Sequence, residues 1–128
     1  MVGILTPMRR SLALLVVAAA SALIVSSALA VGNPVAGKKV YLANGCGGCH
    51  TFKAAGSTGK VGPALTKASM TAHAKAAKRT LPVFVRASVV APNDYVAKGQ
   101  KKGIMPSTYG KSLSKKQLDD LVAFLVKG

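Results

Sequence analysis

Acidic side chains are almost missing from this chain. Asp94, Asp119 and Asp120 are its only carboxylates in 128 residues, against 18 Lys and Arg, and the formal net charge is +15. That imbalance attracts anionic surfaces and speeds encounter with them, although much of the lysine does no more than keep a face solvated. No nucleic-acid-binding motif accompanies the charge, so it does not point to nucleic acid. Aromatic residues are equally sparse, with three Tyr, three Phe and no Trp, so the chain has few large rings of its own to pack. Cysteine occurs twice, at Cys46 and Cys49. A disulfide between them would close a loop of only two residues and constrain the unfolded chain little. A thioredoxin-like redox pair would come with a βαβ pattern, and none is visible. There is no internal repeat and no room for a second domain.

The N-terminal region carries Met8-Arg9-Arg10, an apolar stretch from Leu12 to Val25, and then Ser26-Ser27-Ala28-Leu29-Ala30. A short basic region, an apolar core and an A-x-A end are the components of a secretory signal peptide. Cleavage after Ala30 divides the chain into a leader, 1–30, and one small domain, 31–128. Leu12–Ala30 is also 19 residues long, close to the length that spans a bilayer, so retention as an N-terminal membrane anchor is the alternative. Arg9-Arg10 is a weak twin-arginine match and is set aside. Either outcome places the domain outside the cytoplasm, in a periplasm or on the outer face of the cytoplasmic membrane.

The five residues Cys46-Gly47-Gly48-Cys49-His50 then become the most specific signal in the chain. Two cysteines spaced by two residues and followed at once by histidine read as a c-type haem attachment site. Each thiol adds to one vinyl group, and His50 ligates the iron from the proximal side. One covalent haem also supplies the apolar mass that a small exported domain with few aromatics otherwise lacks.

Around this motif the element signals are uneven. Asn33-Pro34 is a helix start leading into a short helix, 35–42, on which Gly37 and Tyr41 share a face. Ser114 and Gln117 form a capping box, Leu113 can staple onto Leu118, and Leu118, Leu121, Val122 and Leu125 make one helical stripe flanked by Phe124. Asp119 and Asp120 are expected near the positive end of that helix dipole and Lys127 at the negative end. Residues 56–62 read as a turn-rich loop, 66–80 as helix or loop, and 98–103 as an exposed basic loop turned by Gly99 and Gly103. Leu81–Val90 is ambiguous: its valines favour strand, while Pro82 and Pro92 look like helix punctuation.

Methionine is the usual second axial ligand of an electron-transfer haem and raises its potential. Met105 lies in Gly103-Ile104-Met105-Pro106, where proline stiffens and glycine turns the chain toward the iron. Met70, in an Ala/Lys segment, fits better as a gap-filling methionine, and His73 fits better as a solvated histidine. The Pro63 carbonyl of Gly62-Pro63-Ala64-Leu65 is the candidate acceptor for the second ring nitrogen of His50. Leu65, Tyr95, Ile104 and Pro106 complete the expected haem pocket.

From about Val35 to Val126 these segments resemble a class I (mitochondrial-type) monohaem cytochrome c domain of bacterial kind. The residues that carry the likeness are Gly37, Tyr41, the Cys46–His50 motif, Gly62–Leu65, Met105-Pro106 and the last helix through Phe124. The resemblance implies an all-α fold in which the N- and C-terminal helices cross where Gly37 meets the 121–124 region, around one haem with an exposed edge. Phe84–Val96 is similar to the segment before the methionine loop in bacterial monohaem cytochromes, including domains fused to oxidase subunit II and to some nitrite reductases. That likeness assigns the ambiguous stretch to helix. Two departures stand out: Lys98, Lys101 and Lys102 make the methionine loop unusually basic, and one extra residue separates Tyr41 from Cys46.

The expected function is that of a monomeric electron carrier rather than an enzyme. Lys53, Lys98, Lys101, Lys102 and Lys111 are the candidates for steering an acidic redox partner, a reductase or oxidase complex, onto the haem edge. Two alternatives keep the haem: a fixed subunit of a dehydrogenase or oxidase complex, and an open-site protein that binds gas or peroxide.

Overall fold

The computed structural model describes residues 32–128 together with Gly3; the reading of 1–30 as leader or anchor lies outside the described residues apart from that glycine. Helix α1 is Pro34–Ala43. It begins as its sequence requires, with the Asn33 side chain accepting from the Val35 and Ala36 amides at 2.9 and 3.3 Å and Pro34 in the first turn, where a missing N–H costs nothing. The last helix, α5, is Lys115–Lys127. The Ser114 hydroxyl accepts from the Gln117 amide (3.1 Å) and the Gln117 side chain accepts from the Ser114 amide (2.9 Å).

These two helices form the most extensive contact of the fold. They approach so closely because Gly37 has no side chain: a Cβ there would sit 1.9 Å from the Asp120 carbonyl oxygen and 2.7 Å from Cβ of Phe124. Gly32, just ahead of α1, permits the same close approach to the Asp119 backbone. Beside the crossing, Tyr41, Phe52 and Phe124 pack ring to ring with centroids 5.1–5.8 Å apart, the tilted geometry that aromatic quadrupoles favour. Tyr41 and Leu121 are the most completely buried side chains.

Asp119 and Asp120 lie beyond the first turn of α5, so they serve less as dipole partners than as fasteners. Asp119 pairs with Arg86 and with Lys115 (2.7 Å to the latter). Asp120, buried, accepts from the Asn33 amide at 2.7 Å and from Lys116 at 2.6 Å, tying α5 to the entry of α1.

Between the crossing helices lie three more. Helix α2 is Lys67–Ala76, capped by Thr66, whose hydroxyl accepts from the Ser69 amide. Helix α3 is Leu81–Val90. Phe84, Val85 and Val89 turn inward at helical spacing, so burial against α2 and α5 overrides the strand preference of its valines. A single turn, α4, Tyr109–Ser112, was not foreshadowed by any pattern. The loop 56–62 also holds more order than its turn residues suggest: Ser57–Thr58 (β2) pairs antiparallel with Thr51–Phe52 (β1), helped by the Phe52 amide donating to Ser57 Oγ at 3.1 Å. The fold is mostly helical with this one ribbon as its sheet among the described residues. Among them, no helix is long and apolar enough to cross a membrane.

Candidate haem site

The motif 46–50 is coiled by its own backbone. The Cys49 and His50 amides both donate to the Cys46 carbonyl, at 3.2 and 3.1 Å, which winds the segment into a tight turn. The two sulfurs are not joined to each other; Cys46 is half-buried and Cys49 exposed. Burial pushes the Cys46 thiol above its ordinary range before attachment, against an opposing backbone hydrogen bond and with a smaller push from Cys49. A three-residue network fixes the end of the turn: Tyr41 and Ser57 hydroxyls are 2.9 Å apart, and Ser57 Oγ donates to the His50 carbonyl at 2.9 Å.

The imidazole of His50 is held separately. Its Nδ1 lies 2.7 Å from the Pro63 carbonyl oxygen, the acceptor expected from the sequence. A carbonyl only accepts, so Nδ1 carries the proton and Nε2 is left as the ring nitrogen for a bond to a metal. Gly62 makes room for this arrangement: a Cβ at that position would fall 2.5 Å from Cε1 of His50. The Gly62 amide donates back to the Cys49 carbonyl at 2.7 Å, closing the loop onto the motif.

Cys46, Cys49 and His50 open into a cavity of about 350 Å³, which Met105 also lines. A smaller space of about 90 Å³ adjoins it, sharing Cys46, His50, Leu65, Met70, Phe84, Ser88, Met105 and Tyr109. All five expected pocket residues, Pro63, Leu65, Tyr95, Ile104 and Pro106, line the larger cavity. Two cysteine sulfurs, an imidazole with one nitrogen fixed, a thioether and a wall of Leu65, Met70, Phe84 and Val96 are a donor set and lining that fit a covalently held haem.

Several contributors carry no obvious sequence signal. Asn93 braces the methionine loop, its side-chain oxygen accepting from the Gly103 amide at 2.8 Å, where Gly103 sits at φ 83°. Only its place after Pro92 hinted at a turn. Tyr109, from α4, donates to the Asn44 carbonyl at 3.2 Å and so joins the far side of the cavity to the end of α1. His73 is not a solvated histidine: it is half-buried on the cavity wall, with Nδ1 3.2 Å from the Tyr95 hydroxyl. Met70 is buried and lines both spaces, consistent with gap-filling. Of the five lysines named for docking, Lys101 lines the cavity; Lys98 and Lys102 are its exposed loop neighbours, and Lys53 and Lys111 are exposed on other elements.

This fold and this donor set define a protein that holds haem through two thioether bonds. The chain belongs to the cytochrome c family: the family model described as Cytochrome c matches residues 34–128. It is therefore a monohaem c-type cytochrome with a covalently attached haem c, of an electron-transferring family. A comparison with curated proteins gives no match.

Proposed function

We propose that this cytochrome carries single electrons between redox partners outside the cytoplasm, with His50 and Met105 as the two axial ligands. Bound haem supplies a one-electron ferric/ferrous couple. The polypeptide holds both ligands still, so that neither bond is remade when the electron moves. His50 is braced at its ring by Pro63 and at its backbone by Ser57; the Met105 loop is braced by Asn93. The observation that carries the reading is the arrival of Met105 and an imidazole of fixed tautomer in one cavity with both attachment cysteines.

Export is inferred from the leader-like residues 1–30 and from the chemistry of attachment, and implies a location in the periplasm or on the outer face of the cytoplasmic membrane, with Leu12–Ala30 either removed or kept as an anchor. The protein acts as a carrier rather than an enzyme, as a monomer of bacterial type. Its partner presents carboxylates, because the domain has almost none of its own. The test is the visible spectrum of the matured protein, oxidised and reduced, beside that of Met105→Ala. A sulfur-to-iron charge-transfer band in the ferric protein that vanishes in the variant, with a fall in reduction potential, is expected. Persistence of the band in Met105→Ala would move the ligand to Met70, and a bis-imidazole spectrum in the parent would move it to His73.

A further inference from the structure

We infer that His73 couples a proton to the electron: reduction of the cytochrome draws a proton from solvent onto this imidazole, and oxidation releases it. The inference rests on the haem occupying the cavity described above. The chain has only two histidines, and His50 is committed at both ring nitrogens, to Pro63 and to iron. His73 is thus the one remaining side chain whose ordinary titration falls between pH 5 and 8. It is half-buried on the cavity wall rather than out in water, stacked on Phe84 with centroids 6.5 Å apart, and hydrogen-bonded to Tyr95.

Few charged side chains share the cavity with it. On α3 the neighbouring cavity residues are Phe84 and Ser88, which carry no charge, and Arg86 is tied to Asp119. The loop that covers it brings the Tyr95 phenol and Lys101 to the cavity, with Asp94 exposed beside Tyr95. On α2 itself Lys75 is exposed. The remaining titratable groups of the cavity are Cys46, Cys49, His50 and Tyr109, of which the first three are engaged by haem. No carboxylate side chain of the described residues lines the cavity, so the haem's own carboxylates are the competing proton site there.

The sign follows from Coulomb's law in a partly desolvated space. The ferric site carries one more positive charge than the ferrous site, so His73 binds a proton less readily in the ferric state. One electron enters from the partner, and a fraction of one proton enters from water, so charge and mass balance. The reduction potential then falls as pH rises through the imidazole range. A tenfold difference in proton affinity between the two states corresponds to about 59 mV for a one-electron couple.

The experiment is spectroelectrochemical titration of the haem-loaded protein from pH 5 to 9, beside His73→Gln. A falling potential in the parent and a flat one in the variant are expected. An equal fall in both would place the proton on the haem's own carboxylates and overturn the inference, as would a flat parent. If the variant does not mature, imidazole proton resonances of His73 in the parent decide: a midpoint at higher pH in the ferrous than in the ferric state is expected, and equal midpoints overturn it. A parent without haem absorbance would instead fail the haem reading itself, which these curves would show at once by having no couple to titrate.

Discussion

His50 is fixed from two directions, and both fixings are carried by small residues. Pro63 contributes only its carbonyl and Gly62 only the absence of a Cβ, yet together they set the ring's tautomer and position. Gly62→Ala places a methyl group against the imidazole, an overpacking that costs about 2 kcal/mol or forces the ring off Pro63. Reduced yield of haem-loaded protein and a weakened low-spin spectrum are expected; an unaltered spectrum with unchanged melting temperature would show that the ring has slack. The sequence points to this site through residues of specific chemistry, Cys46, Cys49, His50 and the Pro63 acceptor, and through Met105, which lines the same cavity. Ser57 and Asn93 escape notice because a serine or an asparagine in a turn has many uses, and only the fold decides which carbonyl or amide it meets.

Helices α1 and α5 owe their crossing to a glycine and their fastening to two carboxylates. Hydrogen bonds from Lys115 and then Arg86 hold the Asp119 carboxyl below the usual range, and Lys116 and then the Asn33 amide do the same for Asp120. A carboxyl depressed on folding stabilises the native state above its unfolded value, about 3.9, and that contribution disappears as pH falls through the folded value. Melting temperatures of Asp119→Asn and Asp120→Asn should therefore lie below the parent at pH 7 and converge on it in acid. A gap that stays constant down to pH 2 would mean the carboxylates matter for packing alone. Helix starts were legible because caps are local: Asn33-Pro34 and Ser114 with Gln117 announce themselves. The α3 assignment needed the family likeness, since Val83, Val85, Val89 and Val90 favour strand by themselves and become helical through burial of one face. The ribbon of β1 and β2 stayed hidden because two residue pairs give no periodicity to read, and α4 is too short to carry one.

Taken whole, the molecule is a basic shell around a haem cavity. Asp119 and Asp120 are consumed by internal ion pairs, and among the described residues Asp94 is the one acidic side chain outside such a pair. The surface therefore presents nearly undiluted positive charge to any partner. Steering by such a field is screened within about 8 Å at physiological ionic strength, so the rate of reduction by an acidic partner should fall steeply with added salt; a flat dependence would mean that charge does not guide the encounter. The scarcity of aromatics also shows why the domain relies on its cofactor: Tyr41, Phe52 and Phe124 pack together beside the crossing of α1 and α5, while buried Met70, Phe84, Val85, Val89, Leu121 and Leu125 line the cavity and the space adjoining it. The most direct measurement is the intact mass of the matured protein together with its absorbance under reducing conditions. Covalent attachment at Cys46 and Cys49 predicts the polypeptide plus one haem, inseparable on denaturation, with the absorbance of a c-type haem; a colourless protein with the mass of bare polypeptide and two titratable thiols would contradict it.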